Sequence, residues 1–165
     1  MIIYHGSDVI VDKPVILQSE RKLDFGDGFY TTSNREQAVR WSERVSTRRK
    51  SNAQIISEYE FDFDGAEKAL DMLLFHEPDE KWLDFVAQSR SGFVMPKPYD
   101  IAVGPVADDD VYGTIILYEQ GFLDKESALK RLKIKKLFNQ ILFHTDRSLL
   151  FCHYIRHDAI GGTDG

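Results

Sequence analysis

The stretch Asp24-Phe25-Gly26-Asp27-Gly28-Phe29-Tyr30-Thr31-Thr32 decides how the rest of the chain is interpreted. Gly26 and Gly28 tolerate positive φ, so the backbone can turn sharply here or approach a ligand closely. The aromatic and β-branched residues that follow favour a strand. Ser33, with Glu36 three residues later, matches a capping box, so a helix should begin directly after that strand. We predict a tight turn, a short strand and a helix, although an ordinary glycine hairpin fits the turn equally well.

Length, composition and charge predict one globular domain. The chain has 165 residues, of which 42% are hydrophobic and 29% charged, enough to bury a core. Its formal net charge of -6 argues against generic binding to DNA or to anionic membranes. No apolar run approaches the roughly 20 residues that span a bilayer, and the N-terminus lacks the basic region of a signal peptide. We expect a cytoplasmic protein with no membrane partner.

Hydrophobic periodicity predicts a single α+β domain over residues 1–158 and a flexible tail over residues 159–165. Besides the strand at Phe29, strands are predicted over residues 1–4, 55–63, 99–103, 138–143 and 149–155. Helices are predicted over residues 34–47, 64–78, 79–91 and 108–121, with a further helix capped by Asp124. Ala38, Trp41 and Val45 recur at helical spacing, so they should face the core.

A few polar or aromatic positions can carry chemistry. At the predicted end of the first strand, His5 can hydrogen-bond a ligand hydroxyl, and Gly6 lets the backbone approach a flat ligand. Tyr30 can stack on an aromatic ring. Gln140 and His144 share a parity on a late strand, so both can face one site. Each also has an ordinary structural explanation: a polar strand end, a core aromatic or an edge strand.

Metal chemistry and cysteine chemistry have weak support in the sequence. Asp108-Asp109-Asp110 can bind a metal, act as a general base or favour a helix N-terminus. Without a histidine or glutamate at ligand spacing the helix cap is favoured, and His76 lacks a second histidine at metal spacing. The single cysteine, Cys152, lies in an apolar run and should be a buried thiol. We predict no bound metal.

The order of these motifs resembles the ADP-ribosyltransferase superfamily and, more closely, the bacterial DUF3990 group placed in that clan. The resemblance spans nearly the whole chain and is carried by Tyr4-His5-Gly6-Ser7, the stretch from Asp24 to Thr32, Gln37-Ala38 with Trp41, the stretch from Gly104 to Asp109, Asn139-Gln140-Ile141 and Phe143-His144-Thr145. It implies a split, curved β-sandwich with peripheral helices that grips NAD in a cleft.

The resemblance also implies roles for individual residues. In the His-Tyr-Glu branch, His5 would bind the adenosine-side ribose and Tyr30 would stack on nicotinamide. Gln140 stands where that branch has a glutamate that stabilises an oxocarbenium-like transition state. A glutamine can hold the ribose hydroxyl but lacks the negative charge, which Asp108 or Asp109 could supply. The further residues that would surround NAD are Gly6, Ser7, Phe25, Gly28, Thr31 and Thr32.

The implied function is NAD-dependent mono-ADP-ribosylation of an intracellular protein or nucleic acid, by the toxin of a bacterial toxin–antitoxin or phage-defence system with an antitoxin as possible partner. Gln140 leaves open a second interpretation, a module that binds NAD or another nucleotide with weak or no catalysis. Basic residues at positions 48–50 and 130–136 leave a third, a nucleic-acid-binding domain with strongly salt-dependent affinity. The net acidity of the chain argues against the third.

Overall fold

The computed structural model describes residues 1–18, 23–92, 99–106, 109–133 and 139–160. Within these ranges the strands are β1 (Ile2–Ser7), β2 (Phe29–Thr32), β3 (Ile55–Phe61), β4 (Met72–Leu74), β5 (Ile101–Pro105), β6 (Asn139–Phe143) and β7 (Cys152–Ala159). The helices are α1 (Arg35–Arg49), α2 (Phe63–Ala69), α3 (Glu80–Ser91), α4 (Asp109–Glu119), α5 (Lys125–Lys133) and α6 (Asp146–Leu149). The predicted α+β class is confirmed. In the same ranges, no helix combines the length and apolar character that crossing a membrane requires.

The strands form one hydrogen-bonded sheet in the order β4-β5-β6-β2-β1-β3-β7. Six residue pairs join β1 to β3, from Ile2 opposite Glu60 to Ser7 opposite Ile55. The register between β1 and β2 consists of the pair Tyr4 and Thr32. The sheet is therefore continuous, but it opens between β1 and β2 directly beyond this pair. The finer expectation of a split β-sandwich stays a prediction.

Alternate residues of the central strands enter hydrophobic clusters on opposite faces of the sheet, as the period of a strand requires. On β6, Leu142 belongs to the cluster that also contains Trp82 of α3, whereas Ile141 and Phe143 belong to the other. The first cluster is completed mainly by α3, α4 and α5, with the buried residues Phe25, Leu83, Phe85, Val86, Ala102, Val111, Ile115, Ala128 and Leu132. Both faces of the sheet centre are consequently buried.

Helix α1 packs on β1 through small side chains. A Cβ added at Gly6 would lie 1.9 Å from the Ala38 carbonyl oxygen, so glycine allows this close approach. Strand β1 accordingly continues through His5 and Gly6 instead of ending at the predicted glycine turn. Ala38 is buried as predicted, but Trp41 and Val45 are only half-buried and face the cleft described below.

Local capping signals place some helix ends correctly and others one or two residues away. Asp79 caps α3 by accepting a hydrogen bond from the Trp82 amide at 2.9 Å, and Gly92 ends it with φ of 81°, as predicted. Helix α1 is capped by Asn34 instead of Ser33, since Asn34 Oδ1 accepts from the Gln37 amide at 2.9 Å.

The predicted helix over residues 64–78 is wrong in its second half. Met72–Leu74 forms β4, which runs parallel to β5. The Asp100 amide donates to the Asp71 carbonyl at 2.8 Å, and the Asp71 amide donates to the Asp100 carboxylate at 2.9 Å. These bonds fix the starts of both strands, and they join residues that local sequence does not relate.

The C-terminal strand extends further than predicted. Strand β7 runs through Ala159, and the Ile160 amide donates to the Gln54 carbonyl at 2.7 Å. Ordered structure therefore continues past the predicted domain end at residue 158. The remainder of the predicted tail, residues 161–165, lies outside the described residues.

Candidate functional site

A cleft of about 1310 Å³ lies at the opening between β1 and β2. Strand residues of β1, β2 and β6 line it, and α1, α3 and α4 contribute further lining residues. Pockets for small ligands commonly measure about 300–1,000 Å³. The cleft therefore has room for a ligand the size of a dinucleotide.

The three predicted catalytic residues line this cleft together. His5 comes from β1, Tyr30 from β2 and Gln140 from β6. Gly6, predicted to contact NAD, also lines it. The fold thus brings together residues that are far apart in sequence, while their chemical roles stay predictions.

The His5 side chain makes a hydrogen bond to β2 where backbone pairing between β1 and β2 has ended, beyond the pair Tyr4 and Thr32. Its Nδ1 lies 2.7 Å from the Tyr30 carbonyl oxygen. A carbonyl only accepts, so Nδ1 carries the proton and donates it. Burial lowers the pKa of His5, the hydrogen bond to Tyr30 opposes this shift, and Arg49 adds to it. The ring is therefore neutral near pH 7, and Nε2 is an acceptor with no partner among the described residues.

The Tyr30 hydroxyl fixes the glycine turn. It donates to the Gly26 carbonyl at 2.7 Å and accepts from the Phe25 amide at 3.1 Å. Burial, with the nearby Asp24 charge next in size, raises the pKa of Tyr30 well above its ordinary value, so the phenol stays protonated. Tyr30 lines the cleft and also packs against the first hydrophobic cluster. Because its hydroxyl is engaged in the turn, stacking by the ring is the contact that remains for a ligand.

The Gln140 amide has one possible orientation. Its Nε2 donates to the Pro105 carbonyl at 3.3 Å and lies 3.5 Å from Asp24 Oδ2. Both partners are acceptors, so the NH₂ group must face them. Oε1 has no hydrogen-bond partner in the described part of the chain, and it is the acceptor that Gln140 presents to the cleft.

The cleft also contains charged residues that sequence reasoning did not assign to a site. Three arginines and two acids line it: Arg44, Arg48, Arg90, Asp24 and Glu119. Asp24 Oδ1 accepts from Arg90 Nη1 at 2.7 Å, with side chains only 13% and 11% exposed. The described lining residues thus carry three formal positive and two formal negative charges, although the chain as a whole has a net charge of -6.

Aromatic surface on the cleft walls was likewise missed. Trp41 and Val45 of α1 lie on the same helix face as Arg44 and Arg48. On another wall, the Arg90 guanidinium stacks 3.9 Å from the ring centroid of Tyr112. The helical spacing that predicted a core face for Trp41 and Val45 fits a cleft wall equally well, since both environments are apolar.

Five residues predicted to surround NAD do not line the cleft. Phe25 is 1% exposed and belongs to the core. The hydroxyl groups of Thr31 and Thr32 donate to the carbonyls of Ile141 and Asn139 at 2.9 and 2.8 Å. The remaining two, Ser7 and Gly28, are also absent from the lining. These residues shape the strands and the turn around the cleft, and their contact with NAD stays a prediction.

The remaining predictions concern His144, the aspartates at the start of α4 and metal binding. His144 lies beside the glycine turn, not in the cleft: its Cε1 is 4.0 Å from a Cβ built on Gly26. Asp108 lies outside the described residues, and Asp109 begins α4. Among the described residues, no three histidine, cysteine, aspartate or glutamate side chains form a metal-sized group.

The basic clusters divide between the cleft and the surface. Arg48 faces the cleft, whereas Arg49 pairs with Asp8 at 2.7 Å and Lys50 caps α1 in the left-handed conformation. Lys130 pairs with Glu126 at 2.9 Å, and residues 134–138 lie outside the described residues.

Comparison with known families gives a match over nearly the whole chain. The family model DUF3990, described as a protein of unknown function, matches residues 1–154. The chain belongs to the DUF3990 family. No curated protein and no solved structure matches it. The family resemblance expected from the motifs is therefore confirmed at the level of DUF3990.

Proposed function

We propose that this DUF3990 protein is an NAD-dependent mono-ADP-ribosyltransferase that modifies an intracellular protein or nucleic acid. The observation that carries the proposal is the convergence of His5, Tyr30 and Gln140 on one cleft, from three strands and at the opening of the sheet. That opening, with one residue pair between β1 and β2, also supports the split-sheet fold type of ADP-ribosyltransferases.

The cleft suits the chemical groups of NAD. His5 Nε2 and Gln140 Oε1 are neutral acceptors, which match the hydroxyl donors of a ribose. Arginine guanidinium groups are suited to a diphosphate, and two arginines of α1 line the wall. Tyr30 supplies an aromatic face for nicotinamide, and Trp41 supplies one for a second ring.

The proposed reaction breaks the bond between ribose C1″ and nicotinamide N1. Both electrons of this bond leave with nicotinamide, which becomes neutral, and a positive charge develops on the ribose. The acceptor nucleophile then forms a bond to C1″ and releases its proton to solvent. His5 and Gln140 hold ribose hydroxyls, and Tyr30 holds the leaving ring. We place the protein as a bacterial cytoplasmic toxin or defence effector, restrained by an antitoxin.

A second candidate is favoured by the chemistry of Gln140. Its amide is neutral, so by itself it stabilises a developing cation less than a carboxylate does. With the same lining residues, the cleft can bind NAD or another nucleotide without turnover. The two candidates share the ligand and differ in the fate of the glycosidic bond.

The test is incubation with NAD labelled in its adenylate phosphate, together with fractionated bacterial lysate. His5→Ala and Gln140→Ala are the site variants. Asp158→Asn is the matched control, because Asp158 pairs with Arg35 on an exposed surface away from the cleft. We expect label on protein or nucleic acid with the wild type and the control, and its loss in both site variants.

Other outcomes separate the candidates. An NAD-dependent rise in melting temperature that both site variants abolish, without transfer of label, would support the binding module. Neither label nor stabilisation by NAD would exclude both candidates. Label that persists in both site variants would contradict the site assignment while leaving a transferase elsewhere in the chain.

A further inference from the structure

A carboxylate lies beside the neutral Gln140 amide. Asp24 Oδ2 is 3.5 Å from Gln140 Nε2, and both residues line the cleft. Asp24 belongs to the stretch that opens with the glycine turn, far in sequence from β6. The negative charge that Gln140 lacks is therefore present next to it.

The two oxygens of Asp24 have different neighbours. Oδ1 accepts from Arg90 at 2.7 Å, whereas Oδ2 faces Gln140. The Asp24 carboxylate therefore lies between the Arg90 guanidinium and the Gln140 amide. Solvent screens such a pair weakly because the two side chains are only 13% and 11% exposed.

The turn that carries Asp24 is anchored on both sides. The Tyr30 hydroxyl binds the Phe25 amide and the Gly26 carbonyl, and the Gly26 amide donates to the Leu23 carbonyl at 3.2 Å. Gly26 has a φ of 84°, which few other residues adopt without strain. Asp24 is thus fixed in place relative to Tyr30.

We infer that Asp24 is a positioning residue for Gln140. Its carboxylate holds the amide so that Oε1 faces the cleft, and its charge makes that oxygen a stronger acceptor towards a ribose that becomes positive. The inference rests on the proposed function. It assigns to Asp24 the electrostatic contribution that the sequence suggested for Asp108 or Asp109.

The test uses purified protein, NAD and water as the acceptor, and measures nicotinamide release. Water oxygen bonds to ribose C1″, nicotinamide leaves with both electrons, and one proton goes to solvent, which yields ADP-ribose. The variants are Asp24→Asn, Arg90→Gln and the double variant, and Asp158→Asn is the control. The double variant keeps a neutral hydrogen-bonding pair, so it separates the charge of Asp24 from its packing.

We expect the double variant to share the rise in KM of Arg90→Gln and, in addition, to lower kcat roughly 100-fold, as loss of one transition-state contact does. Arg90→Gln should raise KM, because a cationic lining residue is lost, and should keep kcat within about 10-fold of the wild type. Asp158→Asn should match the wild type in both constants. An electrostatic role of Asp24 thus predicts a large loss of kcat when the Asp24 charge is removed and a small one when only the Arg90 charge is removed.

A structural role predicts the opposite pattern. If Asp24 only held the fold, each single variant would lose activity and the double variant, with its pair restored, would recover it. That recovery would overturn the inference while leaving the transferase intact. A wild-type protein that releases no nicotinamide with water and transfers no label to the lysate would overturn the proposed function itself, and the role of Asp24 with it. If only the lysate serves as acceptor, the same variants are compared by the label that they transfer.

Discussion

Strand β1 is paired very differently along its two edges. Towards β3 it makes six residue pairs, and Tyr59, opposite Ile3, is fully buried. Towards β2 the register has one pair, after which the His5 side chain binds the Tyr30 carbonyl. The comparison shows how a sheet can open while the Tyr30 carbonyl stays hydrogen-bonded, since the His5 side chain takes the place of a missing ladder bond. One edge of β1 stabilises the fold, and the other makes room for a ligand.

The largest expected effect is at the fully paired edge. Tyr59→Ala should lower the free energy of unfolding by about 3–5 kcal/mol, since it removes a fully buried aromatic side chain. It also removes the hydroxyl that donates to the Val11 carbonyl. Denaturant unfolding measures the loss. Leu150→Ala, at a side chain 73% exposed, is the control and should change stability by less than about 1 kcal/mol. Equal losses in the two variants would contradict the importance of this edge.

Gly6→Ala should be the next largest effect, because it disturbs the packing of α1 on β1. The added Cβ would lie 1.9 Å from the Ala38 carbonyl oxygen and must push α1 away from β1. We expect a loss of about 1–3 kcal/mol in unfolding free energy. We also expect a weaker NAD-induced rise in melting temperature, since α1 forms one wall of the cleft.

The matched control for that substitution lies in α4. A Cβ at Gly113 would meet nothing within 4 Å, so Gly113→Ala should stabilise the helix by up to about 1 kcal/mol. If Gly6→Ala were as stable as this control, the close packing of α1 on β1 would not be a requirement of the fold.

Sequence patterns predicted the elements whose own side chains determine their structure. Asp79 and Gly92 set both ends of α3 by local capping, and the structure agrees. Sequence patterns failed where contacts with a segment distant in sequence determine the local structure. Met72–Leu74 is a strand because the residue before it pairs with Asp100, and Trp41 faces a cleft because small residues of α1 occupy the contact with β1.

The same distinction explains which cleft residues were anticipated. The order of motifs pointed to His5, Tyr30 and Gln140, and all three line the cleft. Asp24 was part of the most informative stretch but was taken only as part of its turn. Its partner Arg90 lies 66 residues away, and no local pattern relates the two. The only local signal was an acidic residue two positions before Gly26, and aspartate is common in turns that bind no ligand.

A smaller effect is expected at the turn that borders the open edge. Tyr30→Phe removes the partner of the Phe25 amide and of the Gly26 carbonyl, so the free energy of unfolding should fall by about 1–2 kcal/mol. Amide hydrogen exchange at Phe25 should become faster, while the aromatic ring at position 30 is kept. Tyr154→Phe is the control, because its hydroxyl contacts His157 on an exposed surface. Unchanged exchange at Phe25 would show that the hydroxyl does not hold the turn.

The smallest expected effect is the contribution of His5 to the pH dependence of stability. Burial lowers the pKa of His5 below its ordinary value of 6.5, so the unfolded chain binds a proton more readily than the folded protein. Its contribution is therefore complete above about pH 6.5 and decreases as the pH falls towards the pKa of the folded state. We expect His5→Gln to reduce the difference in unfolding free energy measured between about pH 8 and about pH 5.5. His144, whose pKa burial also lowers, should account for part of the remaining difference, which His144→Gln tests. If His5→Gln keeps the full pH dependence of the wild type, burial does not lower the pKa of His5. The conclusion that His5 presents a neutral Nε2 at the open edge would then be wrong.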